Sequence, residues 1–352
     1  MLKRIQLAAL ALGVGFFAYL VYQIGLDSIL TDLATIGWGL GLVILIELLL
    51  DAFHTLGWRY TFLPNDRGVS FWRLYLIRMA GSSFNQIIPS GTMGGEPIKV
   101  MLLQPDVRTA NAVASVITAK LAYSVGQAVF VLAGFIFAFY RFHLPASVDY
   151  ALYAALVLTA VSLAAFFWVQ HLGMFAVISR LAGSLHLPRS LIERLHHATE
   201  RIDHQVREIH VDRPVDFLIS VGWHLAGFGL SMTQMFLFLR WLGLDADIVD
   251  ALAIESFSVL IQLALFLVPA SIGVQEGGKM LLFNGLGLPA ADGLTVGIAV
   301  RLNQIVSIAL GVVAYAYLQG QQLYGRQPSG ATNPATGGSA RSDGQWPSGS
   351  RP

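Results

Sequence analysis

Cysteine is absent from the 352 residues, which excludes disulfide bonds, thiolate metal sites and cysteine nucleophiles together. Charge is scarce as well: Asp, Glu, Lys and Arg make up 12% of the chain, against roughly 25% in an ordinary soluble domain. The formal net charge of +1 leaves no electrostatic footprint for nucleic acid, so none is expected as a partner. Gly-x-Ser-x-Gly, a P-loop, His-Glu-x-x-His and the dinucleotide fingerprint are all missing, so neither a catalytic residue nor a cofactor is expected. His196, His197, His204 and His210 lie close together, but they fall on different sides of one helix without carboxylates at matching spacing. They read as solvated histidines, and no metal site is expected.

What the chain has in excess is apolar surface. Hydrophobic residues make up 55% of it and the mean hydropathy is +0.63, which describes an all-α integral membrane protein. Stretches long enough to cross a bilayer fall at 5–26, 36–56, 112–140, 149–169, 214–242 and 293–320, with a further apolar stretch at 248–268. Lys3 and Arg4 precede the first, and no small-residue cleavage site follows it, so it reads as an uncleaved span. Basic residues mark the cytoplasmic side. Lys3 and Arg4 place the N-terminus there, Arg59, Arg67, Arg73 and Arg78 place 59–80 there, and Arg180 through Arg213 place 170–213 there. The loop 26–35, with Asp27 and Asp32, and the loop with Asp245, Asp247 and Asp250 fall outside.

On this accounting residues 81–108 enter from the cytoplasm and return to it, whereas 248–290 enter and leave on the opposite face. The expected fold is about six full spans with two opposed re-entrant helical hairpins, arranged as an inverted-repeat transporter. Eight plain spans satisfy the same parity. Residues 189–210 carry apolar positions at helical spacing and form an amphipathic cytoplasmic helix. The membrane domain covers 1–322, and 323–352, rich in Gly, Ser and Pro, is expected to be a disordered cytoplasmic tail.

The two hairpins carry one motif twice. Asn85, Pro89, Gly94, Gly95, Glu96 and Lys99 mark the first copy; Pro269, Gly273, Glu276 and Lys279 mark the second. In each, Glu follows the Pro by seven residues and Lys by ten. Backbone groups freed at a broken membrane helix must line protein or a wet cavity. A helix restarting there points unpaired N–H groups at it, suited to a phosphate. Two readings of the glutamates stand side by side. Either each Glu caps its helix and pairs with its own Lys, or both face one central cavity and exchange a proton or hold a cationic group. Lys120 follows Pro89 by 31 residues and Arg301 follows Pro269 by 32; they either snorkel to the interface or clamp a lipid phosphate. Glu47, Asp51 and His54 share a helix face, as a proton relay or with Asp51 and His54 nearing the cytoplasmic surface. Glu255 and Gln262 form a weaker face, and Asn303 and Gln304 read as interhelical glue.

Pro89-Ser90-Gly91, Gly94-Gly95-Glu96, the run Val268 to Gly277, Arg301-Leu302 and Trp58-Arg59 together resemble the lysylphosphatidylglycerol synthase transmembrane-region family of flippase-like proteins, over about residues 5–320. Asn85, Ile254-Glu255-Ser256 and Val274 to Gly278 are most similar to the branch associated with hopanoid biosynthesis. The resemblance implies translocation of a lipid or lipid-linked precursor across the bacterial inner membrane. The lipid itself, the bilayer and lipid-biosynthesis enzymes are the implied partners, and Glu96, Glu276, Lys120 and Arg301 carry over as site residues. Lys99 stands where the family usually has Arg, which removes a bidentate fork from that position. The namesakes of the family append a soluble aminoacyl-transfer domain, and residues 323–352 are too few to supply it, so this chain is not expected to be that synthase. A membrane-embedded transferase or accessory subunit of lipid or hopanoid biosynthesis is the competing reading, and a proton-coupled carrier of a small solute is a third.

Overall fold

The computed structural model describes residues 26–88, 94–141, 212–264 and 273–324, together with Tyr22, Val157, Val206 and Glu208. Apart from Tyr22 and Val157, the apolar stretches 5–25 and 149–169 lie outside the described residues, as do most of 189–210 and the tail. So do the two break tips, 89–93 and 265–272, which hold Pro89 and Pro269.

Every regular element among the described residues is helical: α1 (Leu26–Ile36), α2 (Gly39–Arg59), a 3-10 turn (Pro64–Asp66), α3 (Phe71–Ile87), α4 (Glu96–Leu103), α5 (Thr109–Arg141), α6 (Pro214–Trp241), α7 (Ile248–Ala264), α8 (Val274–Gly285) and α9 (Ala290–Tyr324). Four of them, α2, α5, α6 and α9, are long and apolar enough to cross a membrane. By contrast, the 8 residues of α4 and the 12 of α8 give lengths of only about 12 and 18 Å at 1.5 Å per residue. Both fall short of a hydrocarbon layer about 30 Å thick.

Local chemistry sets several boundaries. Ser70 starts α3, its hydroxyl accepting the Arg73 N–H at 3.3 Å. Helix α3 therefore starts at Phe71, ten residues ahead of the segment 81–108 that is expected to enter the membrane. Gly243 and Gly287, at φ +72° and +75°, end α6 and α8 identically. In each, the following Leu N–H reaches back to the helix, Leu244 to Leu239 at 3.0 Å and Leu288 to Phe283 at 2.9 Å, a Schellman closure that needs glycine's left-handed freedom. One expectation is corrected here. Residues 26–35 are not a loop but most of α1, with Asp27 in the first turn, where its carboxylate meets the positive helix end.

The bundle has two chemically distinct ends. At one end Trp58, Phe62, Leu74, Leu102, Leu103 and Leu318 pack into a core. Above it Arg67 pairs with Asp216 at 3.0 Å, Arg213 also pairs with Asp216 and Arg73 pairs with Asp106 at 2.5 Å. At the other end Ile36, Phe238, Leu239, Ile254, Phe283 and Val296 form a second core, near Asp245, Asp247 and Asp250. Helix α2 runs between them, Val43 in the second core and Trp58 in the first.

Helices α3 and α4 fold back on each other with their base at the basic end, since Arg73 at the start of α3 meets Asp106 just after α4. Helices α7 and α8 fold back with their base at the acidic end, where Ile254 and Phe283 share a core. The two hairpins therefore reach into the bundle from opposite ends. Helix α9 packs along both: Gly293 and Gly297 lie against α8, while Gly311 lies against Met79 and Ser83 of α3.

Candidate functional site

The tip of the first hairpin is held by Asn85, in the last turn of α3. Its Oδ1 accepts the Gly95 N–H at 2.7 Å, and its Nδ2 donates to Glu96 Oε1 at 3.1 Å. One amide thus spans the break and satisfies backbone freed there. Glu96, in the first turn of α4, takes Lys99 Nζ on both oxygens at 3.1 and 3.0 Å. Gly95 sits on the backbone of Gly81, an approach only a residue without Cβ allows; Gly94 precedes it at the end of the undescribed tip.

These groups face a cavity of about 170 Å³ lined by Arg78, Asn85, Glu96, Lys99 and Lys120 among others. Lys120 lies over the Tyr123 ring, 5.4 Å from its centroid, and Lys99 over the Trp58 ring at 5.8 Å. Arg78 meets Asp51 of α2 at 3.3 Å. Three cations line this first cavity against one lining carboxylate, Glu96.

The second hairpin is wired differently. Gly273, at φ +78°, turns the chain into α8. Glu276, in the first turn of α8, is 1% exposed. It accepts not from Lys279 but from Arg301 of α9, whose Nε lies 2.8 Å from Oε1. Arg301 also donates to Gln304 Oε1 at 2.9 Å, while Lys279 donates to Ser258 Oγ of α7 at 2.9 Å. Pairing of a Glu with its own Lys therefore describes the first hairpin and not the second. The distant guanidinium reaches Glu276 because Gly297 brings α9 onto the α8 backbone.

A second cavity of about 210 Å³ lies beside this hairpin, with Glu47, His54, Glu255, Lys279 and Asn303 on its walls. Glu276 lines neither it nor the first cavity. Tyr123 and Gln262 line both cavities.

Glu47, Asp51 and His54 share a helix face but turn to separate partners. Glu47 goes to Gln234 and Asn303, each at 3.2 Å, and Asp51 goes to Arg78. His54 is buried within the bundle: it is 2% exposed, and its Nδ1 lies 2.8 Å from Nδ1 of His224 on α6. Only one hydrogen fits between two such nitrogens, so one ring donates and the other accepts. The pair is seated on reciprocal glycines. A Cβ on Gly227 would meet His54 Cε1 at 2.7 Å, and one on Gly57 would meet His224 Nε2 at 2.9 Å. Gly227→Ala is expected to push the rings apart and lower stability by about 1–3 kcal/mol, read as the unfolding midpoint in detergent. In a His54→Ala background the same substitution is expected to cost almost nothing, and an undiminished penalty there would show that the ring is not what the methyl strikes.

Sequence reasoning missed His224, Arg78 and Tyr123 as site residues. An ionisable His224 inside the apolar 214–242 stretch was the available signal. Arg78 was masked by its neighbourhood, since Arg67 and Arg73 nearby do lie at the basic end.

Comparison with known proteins gives one positive result: the family described as Lysylphosphatidylglycerol synthase TM region matches residues 6–311. No curated protein and no solved structure gives a match. The match is to the family as a whole and draws no distinction between its branches.

Proposed function

Because the chain belongs to the lysylphosphatidylglycerol synthase TM-region family, multi-pass membrane proteins concerned with lipid handling, we propose that it translocates an anionic or lipid-linked polar lipid across the membrane it spans. The observation that carries this reading is the first cavity, where Arg78, Lys99 and Lys120 stand against a single lining carboxylate. Arg78 pairs with Asp51 and Lys99 with Glu96, and a phosphate-bearing headgroup entering this low-dielectric chamber would compete for those cations and meet Lys120, with the restarted helix α4 adding its N-terminal dipole. The α3–α4 and α7–α8 hairpins act as opposed re-entrant elements of an inverted repeat, and access alternates around the site between them. The basic end of the bundle then faces the cytoplasm of a bacterial cell, with both termini on that side. Hopanoid-related lipids are the first to assay, given the resemblance of Ile254-Glu255-Ser256 and Val274 to Gly278 to that branch.

An embedded transferase has less support. Glu47 and Asp51, the intramembrane carboxylates closest together in the sequence, turn to different partners.

The test is movement of fluorescent phosphatidylglycerol in proteoliposomes of the purified chain, read as loss of signal to an impermeant quencher. Lys120→Gln is expected to slow it about tenfold, equivalent to ~1.4 kcal/mol of lost headgroup interaction, and Lys120→Arg by less. Equal rates in all three proteins would remove the headgroup role of this cavity.

A further inference from the structure

The second cavity has the opposite chemistry to the first. Glu47, from α2, receives two amide donors on one oxygen: Gln234 Nε2 and Asn303 Nδ2, each 3.2 Å from Oε2. Glu255, from α7, accepts only the Ser231 hydroxyl, at 3.0 Å. Among the described residues neither carboxylate forms an ion pair. Both line the same cavity of about 210 Å³, where uncompensated carboxylates are costly.

An independent observation points the same way. Asn303 is 7% exposed and lines this cavity, yet its Oδ1 has no hydrogen-bond partner. Its amide N–H is spent on Glu47, which leaves the acceptor oxygen unsatisfied at about 1–3 kcal/mol. What remains on this wall is a set of oxygens from Glu47, Glu255 and Asn303 with no donor assigned to them. Such a set selects a cation.

We propose that the second cavity binds one monovalent inorganic cation, held by oxygens of Glu47, Glu255 and Asn303. The charge balance fixes the valence. Two carboxylates face one ammonium, Lys279, which lines the same cavity and donates to Ser258, so a single positive charge neutralises the chamber. A divalent ion would overshoot. A proton would neutralise one carboxylate oxygen and leave Asn303 Oδ1 still orphaned, whereas an alkali ion takes several oxygen ligands at once, carboxylate and amide alike. The volume accommodates an ion with a few waters, at ~30 Å³ of liquid volume each.

Binding of this cation does not depend on lipid movement. Its role does, since as the driving ion of transport it rests on the reading above. Glu255 is on the hairpin limb α7, Glu47 on α2 and Asn303 on α9, so an ion bound to all three would tie the second hairpin to the two long helices beside it. That gives the ion a conformational lever.

The probes are Na+, K+ and Li+ chlorides against choline chloride at equal ionic strength. They are applied to the full chain in detergent at fixed pH, with the thermal unfolding midpoint as readout and ²²Na+ binding as a second measurement. A saturable rise of several degrees in at least one alkali salt is expected, because a ligand that binds only the folded state stabilises it. Glu47→Gln and Asn303→Leu are expected to lose that rise, and Asp245→Asn, at an exposed carboxylate of the acidic end, to keep it. Glu255→Gln stands in if either variant fails to fold. Equal midpoints in alkali and choline salts would overturn the proposal, as would a rise that Glu47→Gln and Asn303→Leu both keep. Lipid movement without cation binding sinks this inference alone; cation binding without lipid movement sinks the transport reading alone.

Discussion

Arg301→Met is expected to destabilise the protein by about 3–5 kcal/mol, the cost of stranding a buried carboxylate without its cation. Glu276 is 1% exposed, and its second oxygen already lacks a partner, so among the described residues no other group is in hydrogen-bond contact to take over the 2.8 Å contact from Arg301. The paired substitution Glu276→Met with Arg301→Met is expected to recover most of the loss, since two apolar side chains leave no charge behind. Lys279→Met, which removes a donor to a hydroxyl, is expected to cost less than Arg301→Met. Denaturant unfolding of wild type, Glu276→Met, Arg301→Met and the double variant in one detergent gives the double-mutant cycle directly. If the single and double variants melt together, Glu276 is not held by Arg301 in the way the geometry requires.

Gly95→Ala is the second large effect. The added methyl would lie 2.6 Å from the Gly81 carbonyl carbon and closer still to its oxygen, so backbone rather than a flexible side chain has to give way. Moving it breaks the Asn85 bridge to Gly95 and disturbs Glu96 beside it. A loss of about 3 kcal/mol or more is expected, at the upper end of overpacking costs. Gly222→Ala is the control with the opposite sign. Its Cβ would meet nothing within 4 Å, inside α6, so helix propensity predicts a gain of up to ~1 kcal/mol. Similar melting of both variants would show that the hairpin tip is not packed as tightly as this contact demands.

How much of this was legible in the sequence depended on whether the causing contact was local. Glu96 and Lys99 sit three residues apart on one helix, so their pairing follows from helical geometry alone. Glu276 and Lys279 have the same spacing, yet a guanidinium from a separate helix takes the carboxylate. No reading of spacing reveals that, because it depends on Gly297 letting α9 approach. The burial of His54 was not readable either, because it depends on the α2–α6 contact made through Gly57 and Gly227 on opposite helices. The long helices α2, α5, α6 and α9 were readable from apolar run length, since membrane thickness imposes it. Helix α1 was missed because two aspartates and no basic residue made it look like a loop.

Helix α9 has a mechanical consequence. Its 35 residues form a rod about 52 Å long at 1.5 Å per residue, with no proline to bend it. Near one end its Gly293 and Gly297 rest on α8, and toward the other Gly311 rests on α3 while Tyr315 stacks edgewise on Phe84 at 5.1 Å. A rod bearing on both inserts is a single part shared by them, and for the alternating access proposed above it is the beam that would load one insert as it unloads the other.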